Sequence, residues 1–170
     1  MTDEADFSIR PLERNDREWV AHFLDERWAT THIVSRGQVH IGHLLPGFVA
    51  ERTGKDGTSQ RIGLITYRLE GDECEIMTLD SVEENNGIGS ALVDTLLEGL
   101  KNAENIRRVW LITTNDNLEA LRFWQKRDFA LVAVHREAIQ QARRMKPQIP
   151  IIGKHGIPIR DEIELEFVLK

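Results

Sequence analysis

The stretch that most narrows the choice of fold runs from Cys74 to His135, where strand-like alternation and helical spacing take turns without a break. CEIMTLDSV reads as a strand, the turn ENNGIGSA follows, and ALVDTLLEGL carries apolar residues at helical spacing, giving an expected helix over residues 87–102. A β-rich run RVWLITT, a second helix in NLEALRFWQKR and a strand FALVAVH complete the series. Strand, helix, strand in this order calls for at least one right-handed crossover.

The segments before it are richer in strands. A strand is expected around Phe7 to Leu12, then a helix in ERNDREWVAHFLDERW, where Trp19, Val20, Phe23 and Leu24 recur at helical spacing behind an Asn15 or Asp16 cap. The stretch holding His32, His40 and His43 has no clear period. LLPGFVAER and RIGLITYRLE read as strands joined by the polar, glycine-bearing TGKDGTSQ, and IELEFVL is the last strand. KPQIPIIGKHGIPIRD, residues 146–161, has prolines and glycines that forbid regular structure, yet its interleaved apolar residues suit a packed flap or an interface. The sum is an α/β chain, a mixed sheet covered by helices.

At 170 residues the chain is long enough for one domain with a sizeable core, taken here as 1–170, with residues 136–162 a helix plus a Pro/Gly-rich loop ahead of the last strand. A net charge of -6 disfavours nucleic acid as a partner. The lone cysteine, Cys74, lies in an apolar run, so a disulfide framework is not available and a reducing, cytoplasmic compartment is expected. No stretch approaches the ~18 to 20 apolar residues of a membrane span, so no membrane partner is expected. The histidines lack acidic or cysteine partners at ligand spacing, and no metal is expected.

In G-I-G the glycines allow close backbone approach, and a helix starting there points free N–H groups and a partial positive charge outward. That combination suits phosphate oxygens. A dinucleotide fingerprint would need a glycine where Leu92 stands, and a phosphate loop needs Gly-Lys-Ser/Thr, which is absent. A strand-to-helix turn using glycine for geometry alone stays open on this motif by itself.

Two motifs together resemble the GNAT superfamily of acyl-CoA-dependent N-acyltransferases. Glu84-Asn85-Asn86-Gly87-Ile88-Gly89 matches that family's pyrophosphate turn, Q/R-x-x-G-x-G/A, and the segment from Asn117 through Ala120, Phe123, Trp124 and Lys126 to Phe129 is similar to its N-x-x-A-x-x-F-Y-x-K-x-G-F. The resemblance covers residues 60–135. It implies a single-domain GNAT fold: a mixed, mostly antiparallel central sheet flanked by helices, with a V-shaped splay between the two central strands. It further implies an N-acetyltransferase using acetyl-CoA as co-substrate, with direct attack by a primary amine of an unidentified small molecule, peptide or protein, and no metal. Homodimers also fit the family pattern. By the same resemblance Met77 and Leu79 would offer main-chain bonds to the pantetheine, and Asn85, Asn86, Gly87, Ile88, Gly89 and Ser90 would wrap the pyrophosphate. Asn117, Ala120, Phe123, Trp124 and Lys126 would border the rest of the cofactor.

Three positions depart from the pattern. Glu84 replaces Gln or Arg, which is tolerable if it points outward or caps the helix, because backbone N–H groups do most of the holding. Trp124 stands where many members place a tyrosine that protonates the departing thiolate, and an indole N–H cannot do that. Asp128 replaces a glycine and tolerates a left-handed backbone better than most side chains. The first two motivate a rival in which the chain is an acyl-CoA-binding module with little or no catalysis.

Strand alternation places Glu73, Glu75, Met77 and Leu79 on one face. A carboxylate on a central strand is costly to bury unless it is paired or moves protons, and burial raises its pKa toward that of a useful base, so Glu75 and Glu73 are the candidate catalytic residues. Ordinary structural uses compete: Glu73 belongs to the turn GDE, and Glu75 has Arg68 as a partner in reach.

Overall fold

A computed structural model describes residues 6–84 and 86–169; the expectation for Asn85 lies outside them. The strands are β1 (Ser8–Pro11), β2 (His32–Ser35), β3 (Gln38–Ile41), β4 (Gly47–Thr53), β5 (Ser59–Glu70), β6 (Glu73–Ser81), β7 (Arg108–Thr114), β8 (Ala130–His135) and β9 (Glu162–Val168). The α-helices are α1 (Arg17–Trp28), α2 (Ile88–Lys101), α3 (Leu118–Gln125) and α4 (Ala138–Met145). Seven strands form one sheet in the order β1-β4-β5-β6-β7-β9-β8, and β2 and β3 make a separate hairpin. The expected α/β class and mostly antiparallel sheet are observed: only β6 and β7 pair in parallel, as the helix α2 between them requires.

That parallel pairing spans only Glu73↔Arg108, Cys74↔Val109 and Glu75↔Trp110. Beyond it β6 stays bonded to β5 and β7 to β9, but the two strands separate from each other, so a splay opens in the middle of the sheet. The expected V between central strands is this gap.

Helix α2 explains why one face of the sheet is dry. Its Ile88, Leu92, Val93, Leu96, Leu97 and Leu100 are buried at helical spacing against Ile65, Cys74, Ile76 and Val109, each full burial worth roughly 1.5–3 kcal/mol. Trp124 and Phe129 extend the same core from α3 and the turn after it. On the opposite face α1 packs Val20, Phe23 and Leu24 on Leu64.

Asp16 stands at the start of α1 as expected, but its side chain makes no capping bond to that helix. Its fully buried carboxylate instead accepts from Arg10 (2.7 and 2.9 Å), Arg61 (3.0 Å) and the Glu13 backbone N–H (2.7 Å). The Arg10 bonds come first in holding it well below the usual carboxylate range.

One expectation about the central strand is corrected. Thr66 pairs Thr78 while its neighbour Tyr67 pairs Ile76, so Met77 is an extra residue, a β-bulge. The bulge reverses the alternation: Leu79 packs on the α2 core with Cys74 and Ile76, while Glu75 sits in register with Arg68 and Thr78 with Thr66 on the other face. Glu75 and Leu79 therefore point to opposite sides of the sheet. The hairpin β2–β3 also appears where no period was legible, turned by Arg36 (φ 47°) and Gly37 (φ 75°).

Candidate active site

The turn between β6 and α2 forms one wall of a cleft of about 840 Å³ on the α2 side of the splay. Gly87 has φ 74°, a left-handed conformation in which an added Cβ would meet nothing but open space. The first helical bond runs from Ala91 N to Gly87 O (3.0 Å), which leaves the N–H groups of Ile88, Gly89 and Ser90 ahead of the ladder at the helix mouth. Met77, Leu79, Asn86 to Ser90, Asn117, Ala120, Phe123, Trp124 and Lys126 all border this cleft. The structure thus brings together every described residue of the proposed cofactor set.

Several of these side chains also have local duties. Asn117 caps α3, its Oδ1 accepting from Ala120 N at 3.3 Å. Asn86 donates to Glu83 at 2.6 Å, and Arg52 pairs with the same carboxylate, which pins the turn. Ser81 likewise donates to the Glu83 carbonyl at 2.8 Å. Trp124, 5 % exposed, stands edge-on between Phe123 and Phe129. Asp128 has the left-handed φ of 65° that its position calls for. Glu84 is exposed at the cleft rim.

Arg127 was not legible as a site residue. Its guanidinium lies 4.4 Å from the centre of the Phe123 ring and donates to Ser90 Oγ, so it stands over the first turn of α2 with a buried Nε that has no partner among the described residues. No periodic pattern marks it, since it falls in the turn after α3.

Across the splay lies a second cavity of about 550 Å³. Ile76, Met77 and Thr78 of β6 and Ile112 and Thr113 of β7 border both spaces, so the two meet through the gap between the central strands. Glu75 is at the inner end of the second cavity, 4 % exposed, where Ser35 Oγ donates to it and Arg68 lies 3.5 Å away. Burial pushes its pKa up, partly opposed by Ser35 and Arg68. Glu73 borders neither space; it is paired with Arg108 at 2.9 Å beyond the closed end of the splay.

Glu162, 5 % exposed at the start of β9, faces the same cavity, and burial again raises its pKa, with the Glu75 charge adding to the effect. Asp80, which borders the first cleft from the α1 face of β6, accepts from Trp28 Nε1 at 3.1 Å and is likewise pushed up by burial. Among the described residues no group of three or more His, Cys, Asp or Glu is placed to hold a metal ion, and no helix is long and apolar enough to cross a membrane.

The Acetyltransferase (GNAT) family profile matches residues 8–129. The chain belongs to the GNAT acetyltransferase family. It is 40% identical to the uncharacterized protein YdhI of Bacillus subtilis over 161 residues, covering 95% of this chain and 98% of that one. With the uncharacterized YxbD of the same species it shares 39% over 158 residues, 93% and 96% of the two chains. Among solved structures, a GNAT family acetyltransferase from Elizabethkingia anophelis with acetyl-CoA bound superposes with a TM-score of 0.67 at 16% identity, over 97% of this chain and 99% of that one. As a GNAT acetyltransferase the protein is an acyltransferase, and the matched residues 8–129 include the turn and the residues that border the first cleft.

Proposed function

We propose that this GNAT acetyltransferase moves an acetyl group from acetyl-CoA to a primary amine, with Glu75 as the proton acceptor. The observation that carries this is the meeting of the two cavities at the splay. On one side the α2 mouth offers the N–H groups of Ile88, Gly89 and Ser90, with Arg127 and Lys126 as cations nearby. On the other a buried carboxylate waits for an amine.

The cleft fits the cofactor on its own chemistry. Unpaired N–H groups at a helix N-terminus favour a diphosphate, and a guanidinium with an orphaned buried Nε gains from an anionic neighbour. The facing edges of β6 and β7 beyond Glu75 and Trp110 carry main-chain groups outside any ladder between them, and Met77 and Leu79 sit there to bond an extended amide-bearing arm. Bound acetyl-CoA supplies a thioester whose C–S bond breaks as the C–N bond to the amine forms, the products being an amide and a free thiol. Glu75 takes the proton that makes the amine nucleophilic, and its raised pKa suits it to that task. Tyr67, the chain's one tyrosine, packs in the core beside Phe48 and borders neither cavity, so the sulfur is protonated by water or by the proton the amine gives up.

The test is a thermal-shift titration with acetyl-CoA followed by thiol release with an amine panel. A rise in Tm with acetyl-CoA and amine-dependent thiol release is the expected result. A Tm rise without thiol release for any amine would leave the protein an acyl-CoA-binding module.

A further inference from the structure

Glu162 has an unusual position for a carboxylate. It is almost fully buried, yet among the described residues no Lys, Arg or His lies within ion-pair distance of it: Arg108 is engaged by Glu73, Glu164 and Glu166, and Arg36 and His135 make their contacts to Glu164. The Arg36 backbone acts on Glu162, with a small effect that favours its ionised form. The adjacent residue Ser35 donates to Glu75, so consecutive positions at the tip of one hairpin hold the two carboxylates on either side of the same space. Burial outweighs the charges of His135 and Arg36, which favour the ionised form of Glu162 from beyond ion-pair distance, and a cation that enters the cavity offsets the cost that is left.

The remaining walls limit what that cation can be attached to. Ile139 and Ala142 of α4, Ile149 and Ile159 of the following segment, and Ile33 of β2 give the space its apolar surface, while the exposed Glu26 and Arg27 of α1, with His32 and Gln148, stand on its polar wall. Lys146 also borders it, and burial alone lowers the pKa of its ammonium, with no acidic group acting to raise it. A second positive charge on the acceptor would meet that ammonium and Arg27, and the further carboxylate on the wall, Glu26, is exposed to water. A carboxylate beside the reacting amine would face both Glu75 and Glu162.

We propose that Glu162 receives the ammonium of the incoming acceptor, and that the acceptor is a primary amine with a single positive charge on an apolar alkyl or arylalkyl body. Glu162 is in this sense an acceptor-binding residue, and Glu75 the group that then takes the proton. The inference rests on the acetyl transfer proposed above and names the substrate class of that same site.

The experiment compares acetyl-CoA-dependent thiol release with 2-phenylethylamine and hexylamine against spermidine, lysine and a tripeptide. The apolar monoamines are expected to show kcat/KM at least about tenfold higher than the others. Glu162→Gln should raise the KM for 2-phenylethylamine about tenfold while the KM for acetyl-CoA stays within about twofold, and Glu162→Asp should recover part of the loss. Calorimetric titration of 2-phenylethylamine into the CoA-bound protein should show the same weakening in Glu162→Gln without any turnover. Ile149→Glu, at a half-buried wall position, should move preference toward 1,6-diaminohexane. Preference for spermidine, lysine or the peptide, or an unchanged amine KM and affinity in Glu162→Gln, overturns the substrate class while leaving acetyl transfer standing. Thiol release with none of the amines overturns both.

Discussion

The two cavities that meet at the splay are built on different principles. The first cleft takes most of its lining from two stretches, β6 with its turn and the start of α2, and α3 with its flanks; β7 and the end of α1 complete it. Its proposed grip on a ligand is through backbone N–H groups. The acceptor cavity is made of side chains from α1, β2, β6, β7, α4, the segment after it and β9, which are far apart in the chain. Backbone groups survive substitution and side chains do not, so the two spaces should respond to mutation in opposite ways.

The largest effect is expected at Glu75. Glu75→Gln should lower kcat about 10²-fold or more with little change in the KM for acetyl-CoA, as loss of a general base does. In the wild type the acid limb of kcat should lie above the ordinary carboxylate range, because burial raises the Glu75 pKa and the base works only when ionised; in Glu75→Gln that limb should vanish. If rate and pH profile both survive, the acceptor side loses its chemical role and the contrast collapses.

Arg127 tests the exception, a side chain that contributes on the cofactor side. Arg127→Ala should weaken acetyl-CoA about tenfold, read as a higher KM and a smaller ligand-induced rise in Tm, in line with ~1.5–3 kcal/mol for a hydrogen bond to a charged group. Gly89 refines the point. A Cβ there would lie 3.7 Å from Phe123, ordinary contact, and the residue is helical, so Gly89→Ala should hold or raise Tm while raising the acetyl-CoA KM several-fold. Gly87→Ala should instead lower Tm, by the ~1–2 kcal/mol of a left-handed backbone. The smallest effect is expected for Trp124→Tyr, a change in rate of about twofold or less, because the indole is held by two aromatic neighbours and is not a proton donor.

Stability against pH separates the cavity carboxylates from the ion-paired Asp16 at the start of α1. Glu75 and Glu162 have folded pKa values raised by burial, so their protonated forms favour the fold and stability declines as pH rises through the raised values. Asp16 has the opposite sign: its stabilisation is present above the ordinary aspartate pKa and is lost as pH falls toward its lowered value. Denaturant melts of Glu162→Gln should therefore show less loss of stability between mildly acid and neutral pH than the wild type.

What could be read from the chain follows the same division. The β6 turn, α2, β7 and α3 were legible because each carries its own period and the turn its own glycines; β7 begins and ends where RVWLITT does. Met77 was misplaced in the strand pattern because a bulge is a property of the pairing with β5, which one strand read alone does not display. Glu162, Glu164 and Glu166 alternate along β9 as a solvated face would; the α4 residues that share a cavity with Glu162 and the Arg108, Arg36 and His135 that pair with the other two come from other parts of the chain. The hairpin itself, HIVS and QVHI, is too short and too polar at its ends to announce a strand.

Three ladder pairs join β6 to β7, and with the Arg107 backbone bond to Asp72 and the ion pairs of Arg107 and Arg108 with Asp72 and Glu73 they join a four-stranded half-sheet to a three-stranded one. A seam this short is expected to yield before either half-sheet does. Slow amide exchange should be continuous within each half and drop sharply across it, and any motion that widens the seam carries Glu75, its last paired residue, along with the change.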